Sequence, residues 1–181
     1  MKTGVGLAAL LLGVFAAFLL QEAIPAVHAL HGARMIFVPL IFCYGSMVLP
    51  FPATLIAACY TGFLSDLMYL NVVGARVEIA LGWSIVFFVI FGSIGQGLQP
   101  AMKRGVWWPL VPLSALVTSA YLALQFAMIS LRRDDFIFDE NGVWRILAPG
   151  FLAALFSPLL HFGTGWLAQF LPSEPGRSRA Y

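Results

Sequence analysis

The sequence predicts an all-α, polytopic membrane protein folded as a six-transmembrane-helix bundle. Three observations carry that expectation. Hydrophobic residues make up 61% of the chain and charged residues only 10%, where a soluble domain carries about 25% charge. The charges fall in short clusters between long apolar runs. Those runs approach the roughly 20 residues that a helix needs to cross a bilayer. Residues 1–172 read as one transmembrane domain, and residues 173–181 as a short polar tail.

The first span runs from Val5 to about Pro25. It follows Lys2 as a signal peptide would, but exceeds the usual apolar core of about 7–15 residues and lacks a small-x-small cleavage site. It is therefore expected to be retained. The second span, Met35–Leu49, is short and ends at Leu49-Pro50-Phe51-Pro52. That segment cannot continue a helix smoothly, so spans two and three should form an antiparallel hairpin.

The third span, Ala53–Leu70, holds the most distinctive pattern. Thr54, Ala58, Gly62 and Asp66 recur every four residues, and Ala53, Ala57, Thr61 and Ser65 run beside them. Two adjacent rows of small residues make one smooth face, the kind that lets helices pack closely in lipid. Asp66 ends that face and is expected to point into the bundle. An intramembrane carboxylate is costly, which makes it a functional-site candidate.

The fourth span is expected over Val77–Leu98, with Glu78 in its first turn, where a carboxylate suits the helix dipole. Gly92-Ser-Ile-Gly95-Gln-Gly97 reads as the helix end and a loop. Its glycine spacing is not that of a nucleotide-binding turn. Lys103-Arg104 before Trp107-Trp108-Pro109 marks a membrane interface. The fifth span, Val106–Leu131, carries a small row (Ala115, Ser119, Ala123, Ala127) beside a polar row (Ser114, Thr118, Tyr121, Gln125). The acidic loop that follows, Asp134 to Glu140, misses the calcium-loop spacing and reads as solvated or partner-facing. The sixth span, Trp144–Leu171, contains Pro149 and Pro158, where kinks are expected. Ala153, Ser157, His161, Gly165 and Gln169 share one of its faces, and His161 is expected to hydrogen-bond a neighbouring helix.

With the N-terminus inside, Lys and Arg are equally numerous on the two sides. Both lysines and the basic pair beside the tryptophans lie on the same side, which favours cytoplasmic N- and C-termini.

Several function classes find no support. The net charge of +2 and the absence of a basic aromatic patch argue against nucleic acid. Cys43 and Cys59 lie inside apolar spans and read as small hydrophobes, with an inter-span disulfide as the alternative. No nucleophile–base pair, metal-ligand spacing or second intramembrane aspartate is evident, so catalysis, a metal and a cofactor are not expected. His28 and His31 share the first loop without a third ligand.

The segment Ala57–Gly74, with Gly62, Asp66 and Gly74 at matching positions, resembles the signature region of the MreD family of bacterial rod shape-determining membrane proteins. Chain length, spans and short loops agree over nearly the full chain. Asn71-Val-Val precedes Gly74 here, where a Pro-Leu type pair is common. The resemblance implies a non-enzymatic scaffold of the inner membrane. It would act with MreC, a single-span partner, with the filament protein MreB, and with the glycosyltransferase RodA and its transpeptidase in peptidoglycan synthesis. Membrane lipids would surround it.

On that reading Asp66 holds spans three and four in register, with Tyr121, Gln125 or Arg76 as its partner. Ala58, Gly62 and Gly74 serve packing and the turn. The family is also similar in fold to the substrate-binding components of energy-coupling-factor transporters. That supplies an alternative function, vitamin uptake, with a pocket lined by Tyr121, Gln125, His28 and His31. A small row on the first span, Ala9, Gly13 and Ala17, would then meet an ATPase module.

Overall fold

The computed structural model describes residues 2–25, 35–68, 72–73, 76–77, 82–133 and 140–170. Six helices follow in order: α1 (Lys2–Ala23), α2 (Val38–Val48), α3 (Phe51–Met68), α4 (Trp83–Lys103), α5 (Leu110–Arg133) and α6 (Glu140–Phe170). A two-stranded antiparallel ribbon, β1 (Val72–Val73) with β2 (Arg76–Val77), joins α3 to α4.

Among the described residues, five helices are long and apolar enough to cross a membrane; α2 is the exception. Its 11 residues span only about 16 Å at 1.5 Å per residue, roughly half the hydrocarbon core. Large apolar side chains point outward from the long helices, among them Leu12, Phe15, Ile56, Phe63, Ile90, Leu116, Phe151 and Leu159. In water such a surface would aggregate; in lipid it is solvated.

The short helix is the hub. Val38, Pro39, Leu40, Phe42, Cys43, Gly45, Ser46 and Met47 are all buried, and α2 packs against each of the other five helices. A helix that is apolar on every side belongs in a core. Residue pairs fix the directions. Gly6 lies by Leu49 and Gly45 against Leu10, so α1 and α2 are antiparallel. Phe42 meets Phe88 and Gly92, while Ser46 meets Gly95, so α2 and α4 are parallel. Gly62 packs on Ile85 and Thr54 on Gly92, so α3 and α4 are antiparallel, and with them α2 and α3. The pairs Phe37–Phe156 and Tyr44–Thr164 make α6 parallel to α2. The start of α1 and the end of α6 therefore lie at one end of the bundle.

The chain is all-helical as expected, with only a ribbon of two-residue strands between α3 and α4 that pairs Val72↔Val77 and Val73↔Arg76 among the described residues. Two expectations change. With the ribbon in place, α4 begins at Trp83 rather than Val77, after Gly82 with φ of 98°. The glycine cluster 92–97 does not end α4, which continues to Lys103. Gly92 and Gly95 lie inside it and face α2, where side chains would collide with Phe42 and Ser46. Close packing outweighs the weak intrinsic cost of helical glycine, about 1 kcal/mol.

The short α2 also needs its last carbonyls satisfied inside the membrane. The Gln96 amide nitrogen reaches the carbonyls of Ser46 and Leu49 at 2.5 and 2.8 Å and the Thr54 hydroxyl at 2.7 Å. Gln99 donates to Leu49 O at 2.7 Å. Two glutamines of α4 thus cap the hub from the side.

Candidate functional site

The small-residue face of α3 is its buried face. Ala53, Thr54, Ala57, Ala58, Thr61, Gly62, Ser65 and Asp66 are the buried residues of this helix. Ile56, Cys59, Phe63 and Leu67 point outward. The reason is distance of approach: a Cβ at Gly62 would lie 2.5 Å from both N and Cα of Ile85. Only a glycine lets the α4 backbone come this near.

At the end of the face, Asp66 is 4% exposed. Its Oδ2 accepts the backbone N–H of Gly82 at 2.6 Å. Gly82 is the N-cap residue of α4 and has no side chain to cap with. The carboxylate supplied from α3 instead takes the N–H of the N-cap residue itself, as the acidic partner in a capping box does. It satisfies one of the free donors at a helix start and sits at the positive end of the dipole. Asp66 is therefore bonded to the start of the next helix through a sequence separation of 16 residues.

From α5, the Tyr121 side chain approaches the carboxylate. The polar row of α5 faces inward: Ser114, Thr118 and Tyr121 are buried and Gln125 is half-buried. Of the neighbouring small row, Ala123 is exposed, while Ala115 and Ser119 receive Gly150 of α6. The Tyr121 ring packs on Phe87 and Phe88 at centroid distances of 5.3 and 5.5 Å. Its hydroxyl lies among Ser65, Ser84 and Gln125, within the field of Asp66. None of these meets hydrogen-bond geometry, and the buried Tyr121 hydroxyl, Asp66 Oδ1, Thr61 Oγ1 and Thr118 Oγ1 have no hydrogen-bond partner. Ser65 donates to Thr61 O at 2.8 Å, which leaves its lone pairs free.

Asp66, Tyr121 and Gln125 are thus brought together, with Gly62 and Ala58 deeper on the same face. Gly74, Glu78, His28 and His31 lie outside the described residues, as does the side chain of Arg76, whose backbone forms β2. His161 stands apart, and its Nδ1 makes no hydrogen bond. It is held instead by rings, stacked on Trp107 at 6.0 Å and edge-on to Tyr44 at 6.3 Å. Among the described residues no group of three or more His, Cys, Asp or Glu could hold a metal ion together. Cys43 is buried, Cys59 is exposed, and both are free.

Sequence reasoning missed Gly82, Ser84 and Gln96. The signal was available for Gln96: an amide inside an apolar run must find partners. For Ser84 and Gly82 it was hidden by placing the helix start too early.

Beside Tyr121, an apolar groove of about 270 Å³ opens between α4 and α5, lined by Trp83, Val86, Phe87, Ile90, Phe91, Ala120 and Leu124. These features define a multi-pass helical membrane protein with a buried carboxylate joined to a helix start. No family model, no curated protein and no solved structure matches the chain.

Proposed function

We propose that this chain is a non-enzymatic scaffold subunit of the MreD kind in the bacterial inner membrane. The motif of Gly62, Asp66 and Gly74 supports that reading, as does the shared chain length. The observation that carries it is the bond from Asp66 Oδ2 to the N–H of Gly82. It gives the intramembrane carboxylate a structural use, holding α3 and α4 in register. In this proposal all six helices count as crossings, and both termini face the cytoplasm.

The small rows of α3 are taken up within the bundle, so the partner needs another surface. The α4–α5 groove is the apolar concavity suited to the single membrane helix of an MreC-like protein, which would connect the chain to MreB and the RodA–transpeptidase pair. The test is copurification of the tagged protein with a single-span coiled-coil partner. Ala120→Trp fills the groove and should abolish capture while thermal unfolding stays normal. Undiminished capture by that variant excludes the groove. A bound vitamin with no protein partner favours the uptake reading instead.

A further inference from the structure

The lock between Asp66 and Gly82 uses one carboxylate oxygen and leaves the other unexplained. Asp66 Oδ1 is buried without a hydrogen-bond partner, and so are the Tyr121 and Thr61 hydroxyls. Their residues are 4%, 3% and 0% exposed. Ser65 and Ser84 are buried beside them, and the Tyr121 hydroxyl lies among Ser65, Ser84 and the Gln125 amide. Each unpaired buried oxygen is expensive, and an unpaired carboxylate charge more so. Unpaired oxygens from α3 and α5, with the Ser65 and Ser84 hydroxyls beside Tyr121, call for a shared partner rather than separate explanations.

The chemistry of the atoms selects that partner. All are hard oxygens, the donor type of alkali and alkaline-earth ions rather than of zinc or copper. The cluster contains one carboxylate, so its formal charge is −1. The α4 N-terminus offsets part of that charge. A divalent ion bound by protein oxygens draws on more carboxylates than this. A monovalent ion matches the charge, and neutral hydroxyl and amide oxygens complete its shell.

We infer that Asp66 Oδ1 and the Tyr121 hydroxyl, with oxygens of Ser65, Ser84, Thr61 and Gln125 around them, bind one dehydrated sodium-sized cation. The site lies near the end of the bundle where α3 stops and α4 starts. Occupancy would tie α5 to the α3–α4 pair at the point where Asp66 already joins α3 to α4. This inference does not depend on the scaffold reading, and partner capture in sodium-free buffer separates the two.

The test is thermal unfolding of the detergent-purified full chain in sodium, potassium or choline chloride at one ionic strength, with equilibrium binding of radioactive sodium alongside. The wild type should show a saturable, sodium-selective rise in midpoint of roughly 5 °C, as ligand linkage predicts for a protein of this size. Sodium should bind at one per chain. Asp66→Asn and Tyr121→Phe should fold and lose the sodium response, and Asp66→Asn should lose binding. Equal midpoints in all three salts overturn the inference. So does a sodium response that persists in Asp66→Asn. A stabilisation removed by Arg76→Gln, with no sodium binding to the wild type, identifies that guanidinium as the counter-charge and also overturns it.

Discussion

Gly62 and Ile85 are in backbone contact: a Cβ on the glycine would sit 2.5 Å from the N and Cα of Ile85. The obstacle is main chain, which a rotamer change cannot move. Gly62→Ala must therefore push α3 from α4 and disturb the cluster one turn further on. The expected loss is about 1–3 kcal/mol, the usual cost of overpacking. Gly97→Ala is the control, since nothing lies within 4 Å of its would-be Cβ. It should be neutral or gain up to about 1 kcal/mol from helix propensity. Denaturant titration of both variants in the same detergent checks the pair.

Gln96 is the side chain that lets α2 stop inside the bundle. Gln96→Leu keeps the volume and removes every contact to Ser46 O, Leu49 O and Thr54. Gln99 still reaches Leu49 O, but Ser46 O loses its side-chain donor. The loss should be about 1–3 kcal/mol. Cys43 reports on it, being buried in the hub. In a Cys59→Ser background, a membrane-permeant maleimide should label Cys43 slowly in wild type and several-fold faster in Gln96→Leu. Equal labelling rates would mean that α2 holds its place without this cap.

Gly82 carries φ of 98° and open space around its would-be Cβ. Gly82→Ala should therefore cost only the backbone term, about 1–2 kcal/mol, while keeping the N–H that Asp66 accepts. Gly82→Pro removes that N–H and forbids the positive φ, so its loss should be larger. Thermal midpoints in that order, wild type above alanine above proline, are the expected result. An alanine variant as stable as wild type would show that the turn relaxes.

These contacts also explain which parts of the fold could be read from the sequence. The buried face of α3 was legible because its two small rows differ visibly from the leucines and phenylalanines beside them. The hub role of α2 was not, because lipid and protein interior are equally apolar. A helix such as Val38–Val48 looks the same in either place, and only its shortness hinted at a different position. The start of α4 was misplaced because Arg76-Val77 continues into an apolar run with no local mark of a strand. Its end was misplaced because Gly92 and Gly95 look like breakers when their packing partners are unseen. Asp66 was found as a residue, but Gly82 as its partner depends on a helix start that composition does not reveal. Tyr121 was named from its depth along α5, and it lies in the field of Asp66, but no hydrogen bond joins the two.

The same pairing gives the last prediction. Asp66→Ala leaves the half-buried Gly82 N–H without an acceptor, which should cost about 1–3 kcal/mol. Asp66→Asn keeps an acceptor oxygen in place and loses only the charge at the helix start, about 0.3–1 kcal/mol. Alanine should thus be clearly worse than asparagine. Tyr121→Phe deletes a hydroxyl that has no hydrogen-bond partner, so in sodium-free buffer it should be close to neutral. The double variant Asp66→Asn with Tyr121→Phe then isolates what passes between carboxylate and hydroxyl. If they act separately without a cation, the two effects add to within roughly 0.5 kcal/mol. A coupling above that in sodium-free buffer would mean that Tyr121 donates directly to Asp66. Coupling that emerges only when sodium is added places the ion between them.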